Sequence, residues 1–368
     1  MRRLNRDIIL SLLLAVITAL VYVSLILYCR CTVLITRDGI WKSYELLQYV
    51  YQGGLNNPEK ANAIYIPLLA SVWQLLHLAP QQVHLLIAFS NAIAGGLSVA
   101  AVYFIVRLLQ GTPLIAVLTA LFQFACGSFM AQCTSCNDIM PAYCLGTWCL
   151  YFFFKYLSGA GGYSLLYAAI CYALALLLHW TIALPLATGL VAGFIFSSKG
   201  LGAFLRSGIY FSLVVLIALA LAAFSTHTTV WQILMPGKGL GSLWVGWSTE
   251  KMCVEAVNSL SFLMPAYVYP KVSDALKDPR SIHLLSISGA VYVFIFLFFT
   301  FSAFRNNGSL LRKIYGVLLT MLVTGSFMAS YDQGYDPQFI IQPMFFFVIG
   351  AGVFFIFILP GNKGWGNI

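Results

Sequence analysis

Residues 163–198 read "YSLLYAAICYALALLLHWTIALPLATGLVAGFIFSS", 36 positions without one Asp, Glu, Lys or Arg. As one helix this run would be roughly 54 Å long, at about 1.5 Å per residue. A bilayer's hydrocarbon core is only about 30 Å thick. The run therefore predicts two membrane-crossing helices that reverse near His179-Trp180.

Composition extends that expectation to the whole chain. Of 368 residues, 61% are hydrophobic and 8% charged, with a mean hydropathy of +0.88. That leaves too few polar side chains to cover a soluble domain. The fold class expected is an all-α polytopic membrane protein, a single transmembrane domain over 1–368. About ten spans are predicted, at 8–28, 83–106, 112–131, 141–157, 163–179, 181–197, 208–224, 284–304, 314–330 and 338–359, with two long connections at 29–82 and 225–283. The basic start resembles a signal peptide. Its apolar run, Ile8 to Tyr28, is long enough to cross, however, and bulky Tyr28, Cys29 and Arg30 stand where small residues would mark cleavage, so it is read as a retained first span. The run 63–78, with Pro67 and His77, is too short to cross and is expected to be an interfacial or re-entrant helix of the first long loop.

The net charge of +9 is scattered between apolar runs, which argues for topology and against nucleic acid. With the N-terminus inside, Arg2, Arg3, Arg6, Arg107, Lys155, Lys199, Arg206, Arg305, Arg312, Lys313 and Lys363 fall on the inner side, eleven of the 20 Lys and Arg. The other nine lie in the two long connections, and the short outer turns hold none, as the positive-inside rule expects. Asp7 is then the one inner acid, and the remaining ten acids and all 5 histidines fall outside. Nearly every group able to do acid–base or metal chemistry faces one compartment. The sole Asn-x-Ser/Thr sequence, Asn307-Gly308-Ser309, falls inside, which favours a bacterial inner membrane over the endoplasmic reticulum.

Several outer residues are candidates for chemistry. Asp38, in "ITRDGIW", follows the first span by ten residues, and Gly39 permits a close approach by a ligand; a plain Arg37–Asp38 surface turn explains the same residues. Asp138, in "QCTSCNDIMPAY", is confined to a short turn, where it serves chemistry or simply caps the helix that follows. Cys133 and Cys136 beside it are read as a disulfide, a redox pair or two idle thiols; a zinc site there lacks well-spaced further ligands. His179 stands at membrane depth, where a histidine needs water or a partner. Asp332 and Asp336, in "SYDQGYDPQF", occupy the last outer turn. Lys238, Lys251, Lys271 and Arg280 are interleaved with tryptophans in 225–283, a mixture suited to a lipid phosphate and equally to an ordinary amphipathic loop.

The order of these segments resembles the GT-C superfamily of integral-membrane glycosyltransferases. "TRDG" followed by "SYELLQYVYQGGLNNPEKANAIYIPLLASVWQLL" is similar to that family's acid-bearing first outer loop. "GSFMAQCTSCNDIMPAYCLGTWCLYFFFKYL" resembles its second outer turn, and "LLLHWTIALPLATGL" the His-containing segment of protein O-mannosyltransferase-like members. "YDPQFIIQPMFFFVIGAG" looks like the closing Asp-Pro…Pro segment, without the Arg that relatives often carry after the first Pro. The resemblance implies an inverting enzyme that moves a sugar from a polyprenyl-phosphate donor to a glycan, lipid or protein acceptor. Asp38 would be the base and Asp138 a second catalytic-site carboxylate. Arg37, His179, Lys238, Lys251, Lys271, Arg280, Asp332 and Asp336 would hold sugar or phosphate. No metal is required, though a divalent ion is compatible. The rival readings are a polysaccharide ligase or polymerase, a transporter or flippase, and a non-catalytic subunit. A transporter predicts midplane charges and internal repeats, and neither is evident.

Overall fold

The computed structural model describes residues 2–29, 37–52, 64–160, 162–197, 201–225, 230, 277, 279–305, 309–332 and 343–359. These residues are helical, with no strand among them. The helices are α1 (Arg2–Cys29), α2 (Arg37–Gln52), α3 (Tyr65–Leu76), α4 (Val83–Leu108), α5 (Pro113–Ala125), α6 (Gly127–Thr134), α7 (Ile139–Leu157), α8 (Ser164–Leu178), α9 (Trp180–Ser197), α10 (Leu201–Ser225), α11 (Pro279–Arg305), α12 (Ser309–Asp332) and α13 (Met344–Ile358).

A helix stands at each position where a span is expected. Among the described residues, five stretches are long and apolar enough to cross a bilayer: Asn5–Tyr28, Pro80–Leu108, Gly202–Ser225, Ser286–Arg305 and Leu310–Phe327. Three of the other expected crossings, in α8, α9 and α13, are shorter apolar helices. The stretch expected to cross at 112–131 is bent. It is broken at Cys126 into α5 and α6, which meet at 66°. Cys126 adopts an extended backbone there, and Gly127 opens the second piece. The run 63–78 forms α3, 12 residues long and so about 18 Å, short of a crossing.

The packing is that of a lipid-facing bundle. Helix α1 buries Ser11, Ala15, Thr18, Tyr22 and Ile26 along one stripe and exposes Ile9, Leu12, Leu13, Val16, Ile17 and Leu20. Small and polar residues lead the buried stripe, joined by Tyr22 and Ile26, while most large aliphatic ones face outward, because lipid is as apolar as leucine and gives no reason to hide it. Helices α1 and α4 come so close that a Cβ at Gly96 would collide with the Ala15 carbonyl, and α6 approaches α4 so that one at Gly95 would collide with the Cys133 sulfur. Gly189 and Gly193 of α9 give α12 the same close approach, at Met321 and Val317. Helix α13 is buried nearly all round and lies against α5 and α11.

Specific contacts fix how the helices run. Asp7, near the start of α1, pairs with Arg107, near the end of α4, so these two are antiparallel (Arg107 Nη2 to Asp7 Oδ2, 3.0 Å). Gly189 and Gly316 meet Met321 and Phe196 respectively, so α9 and α12 are antiparallel as well. Tyr156 at the end of α7 bonds Ser207 near the start of α10 (2.8 Å). One end of the bundle therefore gathers Asp7, Arg107, Tyr156 and Ser207. The opposite end receives α2, α3, the turn before α7 and the corner between α8 and α9.

Candidate functional site

The site is built around the four-residue turn 135–138. Asn91 of α4, fully buried, donates from Nδ2 to the carbonyls of Ser135 (2.8 Å) and Asn137 (2.6 Å). The Tyr65 hydroxyl of α3 reaches the Asn137 carbonyl as well (3.4 Å). The Asn137 amide donates to the Ser135 hydroxyl (2.7 Å) and to Gln132 of α6. Three helices thus hold a short turn whose backbone groups would otherwise be buried without partners.

Asp138 closes that turn as the N-cap of α7, yet its side chain makes no capping bond. The carboxylate, 4% exposed, instead meets Lys42 Nζ of α2 through Oδ2 (3.4 Å) and His179 Nε2 through Oδ1 (3.5 Å). Lys42 also pairs with Glu45 Oε2 one turn along its own helix (3.0 Å). His179 is the residue that ends α8, with an extended backbone (φ −160°, ψ 110°), and its Nδ1 is hydrogen-bonded to the Thr181 hydroxyl (2.5 Å). The side chains of Lys42, Glu45 and His179 are 13%, 16% and 11% exposed. Charges this far from water persist only when paired.

The pairing has an electrostatic consequence. Burial alone would lower the Lys42 pKa, but the carboxylates of Asp138 and Glu45 outweigh it and hold the ammonium above its ordinary 10.5. Lys42 is therefore charged throughout the neutral range. Nearby, the Ser43 hydroxyl lies 3.7 Å from the Cys136 sulfur, and burial pushes the Cys136 thiol up to about 12. Cys133 and Cys136 are both buried, and no disulfide joins them. With that pKa, Cys136 is no ready nucleophile. Among the described residues no three His, Cys, Asp or Glu side chains are grouped to hold a metal ion.

Of the expected site residues, Asp138 and His179 are brought together. Arg37 and Asp38 form the first turn of α2, Arg280 lies in the first turn of α11 and Asp332 ends α12, but the side chains of these four lie outside the described residues. Lys238, Lys251, Lys271 and Asp336 lie outside them altogether. Lys42 and Glu45 were not anticipated. The signal was present in "RDGIWKSYELLQYV": Lys42 and Glu45 lie beside Ser43 and Leu46, which are buried. A lysine in such a place must find an acid or leave it.

No protein-family model matches the chain, and no curated protein matches it either.

Proposed function

We propose that the chain is an integral-membrane glycosyltransferase that moves a sugar from a polyprenyl-phosphate donor at the end of the bundle holding Lys42, Asp138 and His179. One observation supports it above the others. Three segments widely separated in sequence, each expected on the same side of the membrane, meet in a buried cluster of titratable groups, the kind of convergence that marks functional sites.

In this reading the chain crosses the bilayer ten times with its N-terminus in the cytosol, because the opposite end gathers the basic side chains of the short loops. Asp38 takes the proton of an acceptor hydroxyl, and the oxygen attacks the anomeric carbon. The bond from that carbon to the phosphate oxygen breaks, and polyprenyl phosphate leaves with the electron pair, inverting the centre. Phosphate is already a good leaving group, so the enzyme's task is placement and charge neutralisation. Arg37, Lys238, Lys251, Lys271 and Arg280 are assigned to the phosphate, and Asp332 and Asp336 to sugar or acceptor hydroxyls. Asp138 and His179 are assigned to orienting sugar or acceptor, and Asp38 precedes Lys42 by four residues, about one helical turn, in α2.

The test is release of polyprenyl phosphate by purified protein supplied with polyprenyl-phosphate sugars and candidate acceptors. Asp38→Asn should lower that release by about 10²–10⁴-fold, the usual worth of a general base, with an unchanged helical circular-dichroism spectrum. Full activity in that variant removes Asp38 from the role.

A further inference from the structure

Helix α2 lies at the end of the bundle, packed against α3 and α4 with Leu47, Tyr49 and Val50 resting on the core. Leu46 inserts into the core, the Ser43 hydroxyl meets the Cys136 sulfur (3.7 Å), and Lys42 bridges from Glu45 on its own helix to Asp138 on the turn before α7 (3.0 and 3.4 Å). These contacts differ in what they specify. An apolar side chain such as Leu46 tolerates a slide or a small rotation of the helix with little change in buried area, since the hydrophobic effect has no direction. An ammonium that must touch one carboxylate on each side is satisfied in a single register. Its removal from water is costly wherever that register is missed.

We infer that Lys42 is a positioning residue: its bridge to Asp138 fixes the axial and rotational place of α2 on the bundle, and with it the place of the helix's first turn, where Asp38 stands. The inference rests on the proposed glycosyl transfer for its catalytic consequence but not for its structural one. Ion pairs of this kind add little net stability against an apolar replacement, while a single polar group at an interface is well suited to setting register. Lys42 thus acts through Asp38 and touches no reacting atom.

The geometry supplies an assay that needs no substrate. In full-length Ser43→Cys protein, the introduced thiol would stand beside Cys136, and mild oxidation should join them into a disulfide identifiable by mass spectrometry of the linked peptides. Adding Lys42→Met should slow this crosslink by about tenfold or more, and Lys42→Arg, which can still span two carboxylates, should recover most of the rate. Without the cysteine substitution, Lys42→Met should lower kcat for sugar transfer about tenfold or more and leave the donor KM within about twofold, as expected when a catalytic group is misplaced and binding is kept. Crosslinking as fast in Lys42→Met as in its parent overturns the inference. So does a rise in donor KM at unchanged kcat, which would make Lys42 a direct contact of the donor. If wild-type protein transfers no sugar while the crosslink still depends on Lys42, the transferase reading fails and the docking role stands.

Discussion

Asp138 is one carboxylate answering two partners from different segments, and its consequences are local and steep. Asp138→Ala takes one of the two carboxylates from the Lys42 ammonium and removes the carboxylate that faces His179 Nε2. Breaking a pair this deeply buried costs about 3–5 kcal/mol; allowing for the partial exposure of Lys42, a loss of about 3 kcal/mol is expected in detergent unfolding. The pH dependence has the opposite sense from acid denaturation. Because the folded-state pKa of Lys42 is raised, its contribution is fully present below the ordinary lysine value of 10.5 and is lost as pH rises through the higher folded value. The Lys42-dependent part of the Ser43→Cys crosslink should therefore persist to pH 10 and disappear only above 10.5. Loss between pH 7 and 9 would contradict the pairing. Sequence made Asp138 and His179 visible because an acid in a tight turn and a histidine at membrane depth both need explaining. Lys42 was hidden because lysines in amphipathic stretches are usually solvated, and only the placement of α2 shows that this one is not.

At the scale of helices, glycine is what lets α1 and α4 touch. Gly96→Leu has no room against the Ala15 carbonyl and should cost about 1–3 kcal/mol through overpacking. Gly202→Leu, with nothing within 4 Å of its Cβ position, should be neutral or better, since glycine is a poor helix former. Equal midpoints for the two variants in thermal unfolding would refute the close packing. Helix positions were readable from apolar runs and charge spacing, down to the corner at His179. The break at Cys126 was not, since no proline marks it and the neighbouring residues are as apolar as those of an unbroken helix. Pro185 lies inside α9 without ending it, as the span expected over 181–197 required.

Across the whole molecule, the contacts sort charge by end, and the proposed orientation can be measured. Ser158, exposed in the turn after α7, lies at the end shared with Asp7 and Arg107, and exposed His77 lies at the other. In intact cells a membrane-impermeant maleimide should label His77→Cys and spare Ser158→Cys beyond the background of the native thiols. The reverse pattern would place the Lys42–Asp138–His179 cluster in the cytosol and end the case for a donor used outside. The sidedness expected from the sequence rests on the short-loop bias of Lys and Arg, and this labelling is its test. The convergence of α2 with the turn before α7 was not legible in the sequence, because it depends on tertiary packing of connections whose lengths carry no such rule.

The break at Cys126 also bears on how the chain is assembled. At a helix terminus the last carbonyls lose their partners, and within lipid an orphan carbonyl is not tolerated. The Gln123 carbonyl is taken by the Cys126 amide (3.1 Å), but that of Phe124 is taken by the Tyr22 hydroxyl of α1 (2.8 Å), 102 residues earlier. The α5–α6 segment is therefore not self-sufficient when it leaves the ribosome; it depends on a helix already threaded into the bilayer. Synthesis from the N-terminus delivers Tyr22 first, so the order of translation is itself part of what makes the bent segment insertable.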